Sequence, residues 1–480
     1  MLLTEVEIES RSADCFADIL SEEELAAARN AGRQAREHRA GRTVWNINST
    51  AVGGGVAEMI KPLLAYARDF GVDARWLVIG GEPDFFKLTK RLHNSLHGVD
   101  GGSVIFEEDR QLYERVLREN AQEICARVRP DDVVILHDPQ TAGLAPALLE
   151  SGARVIWRCH IGTDHPNANS DRAWELLAPY LRDLPCRIFS RASYVPAALA
   201  DLNNVVVQPS IDAFSPKNQE MGPQVVRAIL VHVGLIEGPG PEVAPTFVRQ
   251  DGSVDEVQHK ADLIRCGRAP RSDEPLVVQV SRWDRLKDPV GLIRGFATAL
   301  DRGRIGAAEL VVAGPNVSAV ADDPEGDIVF RESLAAWRSL PHSARDRVTL
   351  ASLPTHDVEE NAVIVNALQR HASIIVQKSL QEGFGLTVTE GMWKGRPVIA
   401  SAVGGINDQI EDGVSGVLLQ DPRDPIEFSE ALEGLLTNPA RAKSIGNAAR
   451  ERVREHFLAL RHLRQYHELL STLDGVPAYT

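Results

Sequence analysis

The sequence predicts an α/β protein of two domains, each built on a parallel sheet, and three observations carry that prediction. Short β-branched runs alternate with helix-length amphipathic stretches, and they do so twice along the chain. The runs are apolar at nearly every position, as strands covered on both faces must be. Several end in glycines or in clustered ionisable residues, where ligands gather in open parallel sheets. With 480 residues, 44% hydrophobic and 25% charged, the chain is long enough for two substantial cores.

Taken in order, Ser21 followed by Glu24 forms a capping box that opens a polar helix to about Arg39. Residues 1–41 are therefore expected to be a helical extension suited to packing or to oligomer contact, with a homodimer as the oligomer considered. The first domain is expected over 42–214. A strand over 43–47 leads into the triple glycine Gly53-Gly54-Gly55 and a helix over 56–70, an arrangement that brings amides close to a phosphate or sugar. A flexible turn explains the same glycines equally well. A strand over 74–79 ends at Glu82, one over 132–136 ends at His137 and Asp138, and one over 154–157 runs into Arg158 and His160. A single histidine at a strand end is usually structural, but four ionisable groups at two strand ends favour a binding role.

Residues 215–274 lose this rhythm and read as a linker with an inserted helix or two. The second domain is expected over 275–455. Its first strand, 275–280, is followed by Arg282 and Lys287, a guanidinium and an ammonium that together suit a diphosphate. Further on, a strand over 374–376 meets the turn Gly383-Phe384-Gly385, then a helix over 386–393 beginning at Leu386. Glycine lets the backbone approach a ligand, and the unpaired amides at the helix start favour an anion. Glu382 and Glu390 stand eight positions apart around that turn. Alone, a glycine turn between strand and helix is weak evidence. Its combination with two glutamates, a second turn at Gly404-Gly405 and the strand between them is stronger. Helices follow, and the last, within 456–480, is expected to pack back on the first domain.

A net charge of −15 excludes a broad nucleic-acid or anionic-membrane surface. Five scattered cysteines without C-x-x-C spacing indicate neither a disulfide framework nor a zinc site. With no signal-like N-terminus and no membrane-length apolar run, a cytoplasmic protein is expected.

The segments SRWDRLKD, QEGFGLTVTE and VGGINDQIEDGVSG resemble those of retaining family-4 glycosyltransferases. These have the GT-B fold, two Rossmann-like domains facing across a cleft. More narrowly, VWNINSTAVGGGVAEM, HDPQTAGL, WRCHIG, QPSIDAFSPKN and EGFGLTVTEGMWKGRPVI are similar to the NDP-glucose-dependent trehalose glycosyltransferring synthases. The resemblance runs from about Arg42 to the C-terminus. It implies a UDP-, ADP- or GDP-glucose donor, a glucose acceptor, α,α-trehalose as product and no obligatory cofactor. By the same resemblance Arg282 and Lys287 grip the diphosphate and Glu390 binds the ribose. Glu382 and the Phe384 to Leu386 amides touch sugar and phosphate, and Gly54 and Gly55 complete the phosphate pocket. Glu82, His137, Asp138, Arg158 and His160 are the acceptor candidates. Glu382, Arg282, Lys287 and His160 form the catalytic set. The chain has no D-x-D triplet, so no metal site is expected. A retaining trehalose phosphorylase, a family-4 enzyme with another acceptor, and an inactive sugar-nucleotide-binding protein stay open as alternatives.

Overall fold

A computed structural model describes residues 3–52, 54–99, 106–238, 243–316 and 324–474. The chain divides into two compact units, Met1–Ile211 with His456–Thr480, and Asp212–Glu455.

The first unit is built on seven strands: β1 (Thr4–Val6), β2 (Thr43–Asn48), β3 (Asp73–Val78), β4 (Val133–His137), β5 (Arg154–Cys159), β6 (Cys186–Phe189) and β7 (Asn204–Val206). Their order across the sheet is β1-β3-β2-β4-β5-β6-β7, parallel except at the β1 edge. The strands β2, β4 and β6 are buried at every position, and β4 reads as an apolar run up to its terminal His137. One face packs a core around Trp157, Phe85, Tyr113 and Phe189. On the other face, Val44, Ile135, Ile156 and Ile188 are met by Leu470 of the helix Ala459–Leu473. That helix belongs to this unit although 244 residues of the other unit, 212–455, separate it from β7.

Residues 1–41 are more than a helical extension. The capping box of Ser21 and Glu24 is present and opens the helix Glu22–His38. Ahead of it, however, Thr4–Val6 adds an antiparallel edge strand. Three residues, two of them exposed, are too short and polar to show a strand period in sequence.

The second unit carries a small hairpin, β8 (Thr246–Val248) and β9 (Val254–Glu256), and a seven-stranded sheet. Its strands are β10 (Asp262–Ile264), β11 (Leu276–Val280), β12 (Glu309–Pro315), β13 (Val348–Leu353), β14 (Ile374–Gln377), β15 (Val398–Ser401) and β16 (Val417–Leu419). The order is β10-β13-β12-β11-β14-β15-β16, again parallel except at the first edge. The stretch 215–274, expected to be a linker, is thus part of this unit: it supplies the helix Pro223–His232, the hairpin and the edge strand β10.

All five cysteines are free thiols. No helix among the described residues is long and apolar enough to cross a membrane.

Candidate active site

Each sheet has one place where strand order turns back on itself. In the second unit it lies between the neighbouring parallel strands β11 and β14, and in the first between β2 and β4. Loops leaving the carboxyl ends of such a pair diverge, and α/β sheets bind ligands there. The sequence candidates distribute themselves around these two points.

In the second unit, the loop after β11 is shaped by its own side chains. The Asp284 carboxylate accepts from the Leu286 amide at 2.8 Å and so caps the short turn Arg285–Lys287. Asp288 follows in the left-handed conformation, φ 47°, and accepts from Gly291 N at 3.0 Å to start the helix Pro289–Asp301. Trp283 is buried and donates to the Pro315 carbonyl at 2.9 Å, which fixes the loop against β12. Gln279, fully buried on β11, receives the Lys378 amide at 3.3 Å and donates to the Lys287 carbonyl at 3.0 Å. The buried Lys378 ammonium donates to Asp288. The two loops are held together from beneath.

On that base the Lys287 ammonium donates to Glu382 Oε2 at 2.6 Å, and Ser379 Oγ donates to the same oxygen at 3.1 Å. Both partners are largely buried, with side-chain exposures of 16% and 11%, so the pair is only partly screened by water. Gly385 caps the helix Leu386–Trp393 at φ 87°, a conformation glycine adopts without strain. A Cβ at Gly385 would sit 3.0 Å from Glu382 Cγ. The second turn crosses the first closely: Gly405 N donates to the Gly383 carbonyl at 3.1 Å, and Gln409 donates to the Phe384 carbonyl. A Cβ at Gly405 would lie 2.6 Å from Phe384 Cα, so only glycine fits. Arg282 stays more than half exposed, its guanidinium 3.6 Å from Asp284.

Glu390, one face along the same helix, is buried, with the Lys217 ammonium 3.7 Å from its Oε1. Lys394, at the helix end, donates to Asn218 Oδ1 at 2.6 Å. Burial drives its ammonium well below the usual lysine range, while the Glu390 charge pulls it back up.

In the first unit, His137 and His160 come together at the ends of β4 and β5. His160 Nε2 and His137 Nδ1 are 3.0 Å apart, and His137 Nε2 lies 2.9 Å from Asn46 Oδ1. Because a carbonyl oxygen only accepts, His137 donates to Asn46 and so accepts from His160. Burial, then the Arg158 charge, lowers His137 to about 3, and His160 likewise falls well below the normal imidazole range. Both rings are neutral at pH 7. Asp138, left-handed at φ 63°, accepts the His160 amide at 2.8 Å. Burial pushes its carboxyl up to about 7, against the pull of that amide and of Arg158.

Arg158 is turned inward. Fully buried, it reaches His462 Nε2 at 2.6 Å, the Tyr466 hydroxyl and the Val207 carbonyl at 3.1 Å, tying β5 to the last helix. Glu82 is not drawn into this cluster; it is half-exposed before the helix Pro83–Leu96 and pairs with Arg115. Gly54, φ 113°, opens the helix Gly55–Asp69 with open space around a Cβ built on it. Gly53 lies outside the described residues.

Sequence reasoning missed Lys217, Gln279, Asp288, Lys378 and Lys394, and in the first unit Asn46, His462 and Tyr466. Lys378 left one signal: a cation directly abutting the apolar run of β14. Among the described residues no group of three or more His, Cys, Asp or Glu side chains is arranged to hold a metal ion.

Two family models match the chain: trehalose synthase N-terminal domain over 46–196, and glycosyl transferases group 1 over 355–452. The trehalose synthase of Pyrococcus horikoshii is 34% identical over 465 residues, 97% of each chain. That of Rubrobacter xylanophilus is 35% identical over 440 residues, covering 91% of this chain and 92% of its own. Among solved structures, a UDP-forming α,α-trehalose-phosphate synthase from Burkholderia xenovorans in complex with glucose-6-phosphate superposes with a TM-score of 0.67. It covers 91% of this chain and all of the other, at 16% identity, a likeness of fold alone.

Proposed function

The chain belongs to the trehalose synthase family of glycosyltransferases with a two-domain α/β GT-B fold, and from that premise we propose that it transfers glucose from a nucleoside-diphosphate glucose to glucose, forming α,α-trehalose. The observation that carries this reading is the Lys287–Glu382 pair, 2.6 Å apart at the switch point of the second unit. It joins a cation suited to a leaving diphosphate with a carboxylate suited to the sugar that is leaving it.

In the proposed reaction the bond between the anomeric carbon and the diphosphate oxygen breaks, and the acceptor hydroxyl attacks from the same face, so configuration is retained. The electron pair leaves with the diphosphate, where Lys287, Arg282 and the amides at Phe384 to Leu386 stabilise it. A phosphate oxygen takes the proton of the incoming hydroxyl. Glu382 positions the sugar and stabilises positive charge at its anomeric carbon. Glu390 holds the ribose, with the Lys217 ammonium 3.7 Å from its Oε1. Gly54 and Gly55 offer amides to phosphate. The neutral pair His137 and His160 orients the acceptor hydroxyls, and Arg158 acts at one remove by fixing β5. Cationic side chains and amides meet the developing charge, so no obligatory metal belongs to this scheme.

The test is incubation of the purified chain with UDP-, ADP- or GDP-glucose and ¹³C-glucose, with and without chelator, and product identification by NMR. α,α-Trehalose from at least one donor, unaffected by chelator, is expected. No disaccharide from any donor, or product only from glucose 1-phosphate with phosphate release, overturns the reading.

A further inference from the structure

The first unit holds a second feature, which reaches Asn46 and His137 at its inner end but is otherwise built from groups that the proposed transferase chemistry does not use. Beneath the helices Glu22–His38, Gly55–Asp69 and Ala459–Leu473 lies a cavity of about 80 Å³. Its walls are almost wholly apolar, with Ala35, Val44, Met59, Leu63, Ile135 and Leu470 among them. The space exists because the first helix presents Ala28, Ala31, Gly32 and Ala35 at helical spacing, where larger side chains would close it.

Into this apolar space comes Arg39. It is 4% exposed, and none of its three side-chain nitrogens, Nε, Nη1 and Nη2, has a hydrogen-bond partner. Buried guanidinium groups are ordinarily paired, because an isolated buried charge is strongly unfavourable. The nearest acid cannot serve it. The Asp474 carboxylate is taken by Arg154 and by Arg42, the latter at 3.4 Å. Three arginines therefore surround one carboxylate, leaving a local excess of positive charge. His467, also in the wall, is lowered to about 4 by burial and by Arg39, so it adds no charge at neutral pH and presents a flat, largely apolar ring.

We propose that this cavity is a binding site for a small amphiphilic carboxylate, its head forked on the Arg39 guanidinium and its short apolar body between Ala35, Leu63 and Leu470. A planar guanidinium with free donors matches a carboxylate bidentately, better than it matches a hydroxyl. The cavity is smaller than the roughly 150 Å³ engineered cavity known to take benzene, so the body is a few methylene groups and not a lipid tail. The proposal is independent of the transferase reading, since occupancy is read without turnover.

The experiment is calorimetric titration of the full chain at pH 7.5 with hexanoate, hexanol and hexylammonium. Hexanoate is expected to bind saturably, one per chain, at least tenfold tighter than hexanol, with hexylammonium weakest. Arg39→Met should abolish the preference for hexanoate over hexanol. Ala35→Leu, which fills the cavity and leaves the charge, should weaken both. Hexanoate binding no tighter than hexanol, or an undiminished preference in Arg39→Met, overturns the proposal. Should Arg39→Met fail to fold, unchanged hexanoate affinity in Ala35→Leu overturns it instead.

Discussion

The two switch points are built alike in topology and oppositely in electrostatics. Both lie between neighbouring parallel strands whose outward orders diverge. The second unit puts charges there in pairs, partly open to water: Lys287 with Glu382, Lys378 with Asp288, and the exposed Arg282. The first unit buries its polar groups, with two unprotonated imidazoles and a carboxyl raised to about 7 beside the inward-turned Arg158. Under the proposed function, the difference follows from what each would recognise. A diphosphate carries charge that grows during reaction and is best met by preorganised cations and amides. A sugar hydroxyl carries none, and neutral donors and acceptors of fixed tautomer can discriminate it.

If that contrast is right, the deepest break comes at Glu382. Glu382→Ala is expected to lower kcat by about 10³-fold, roughly 4 kcal/mol in the transition state, while Tm shifts by only a few degrees. Steady-state kinetics beside calorimetry checks it; a kcat within threefold of the parent would remove Glu382 from the chemistry.

Arg158→Ala should do the reverse. It leaves His462 Nε2, the Tyr466 hydroxyl and the Val207 carbonyl without their buried donor, a loss of about 3 kcal/mol in stability. Urea unfolding measures this, and an unchanged midpoint with a raised glucose KM would instead make Arg158 an acceptor ligand.

The buried neutral cluster makes a prediction in pH. Asp138, with a folded value of about 7 against 3.8 unfolded, stabilises the fold below about pH 4, and that contribution is lost as pH rises through 7. His137, near 3 folded against 6.5 unfolded, works oppositely: its contribution is present above 6.5 and lost as pH falls toward 3. The two offset each other in the parent. Asp138→Asn keeps the left-handed backbone and an acceptor for the His160 amide, and removes one side of the balance. Its stability should therefore fall more steeply from pH 6.5 to 4.5 than the parent's, in urea titrations at fixed pH. Parallel pH profiles would mean that Asp138 is ionised in the fold.

The smallest effect is expected at Gly385. Gly385→Ala places a Cβ in a left-handed site 3.0 Å from Glu382 Cγ, costing about 1 to 2 kcal/mol and displacing the carboxylate. Activity should drop about tenfold, with partial compensation at higher donor concentration; unaltered kinetics would loosen the link between turn and carboxylate.

Much of this was legible in sequence because it is local. The helix Leu386–Trp393 is bracketed by Gly385 and Gly395, and the glycine turn with the apolar run ending at Trp393 gives its bounds to the residue. The apolar runs of β4, β5 and β14 announce buried strands within a residue or two. What sequence withholds is pairing at a distance. Nothing near Arg158 indicates that its partners stand about 300 positions later in a helix that looks amphipathic and ordinary. The edge strands β1 and β10 owe their conformation to β3 and β13, since three residues are too few to set a strand preference of their own. Helix Ala168–Leu181 carries Pro179 inside, a residue that ordinarily reads as a break. At the site, Glu382 and Lys287 were each visible, but their meeting rests on buried Gln279 and Lys378, polar residues at strand ends that resemble many others.

The return of the helix Ala459–Leu473 to the first unit has a consequence for synthesis. A ribosome delivers residues 1–211 first, yet the face bearing Val44, Ile135 and Ile188 stays open to water until Leu470 emerges, after all of 212–455. The later-made unit is contiguous and can complete its core while the earlier one waits, inverting the usual N-terminal-first order. For that interval the nascent chain carries an unsealed sheet face that chaperones would recognise, and a chain released before residue 456 would hold Lys287, Glu382 and Glu390 on a sound scaffold while its first unit never closed.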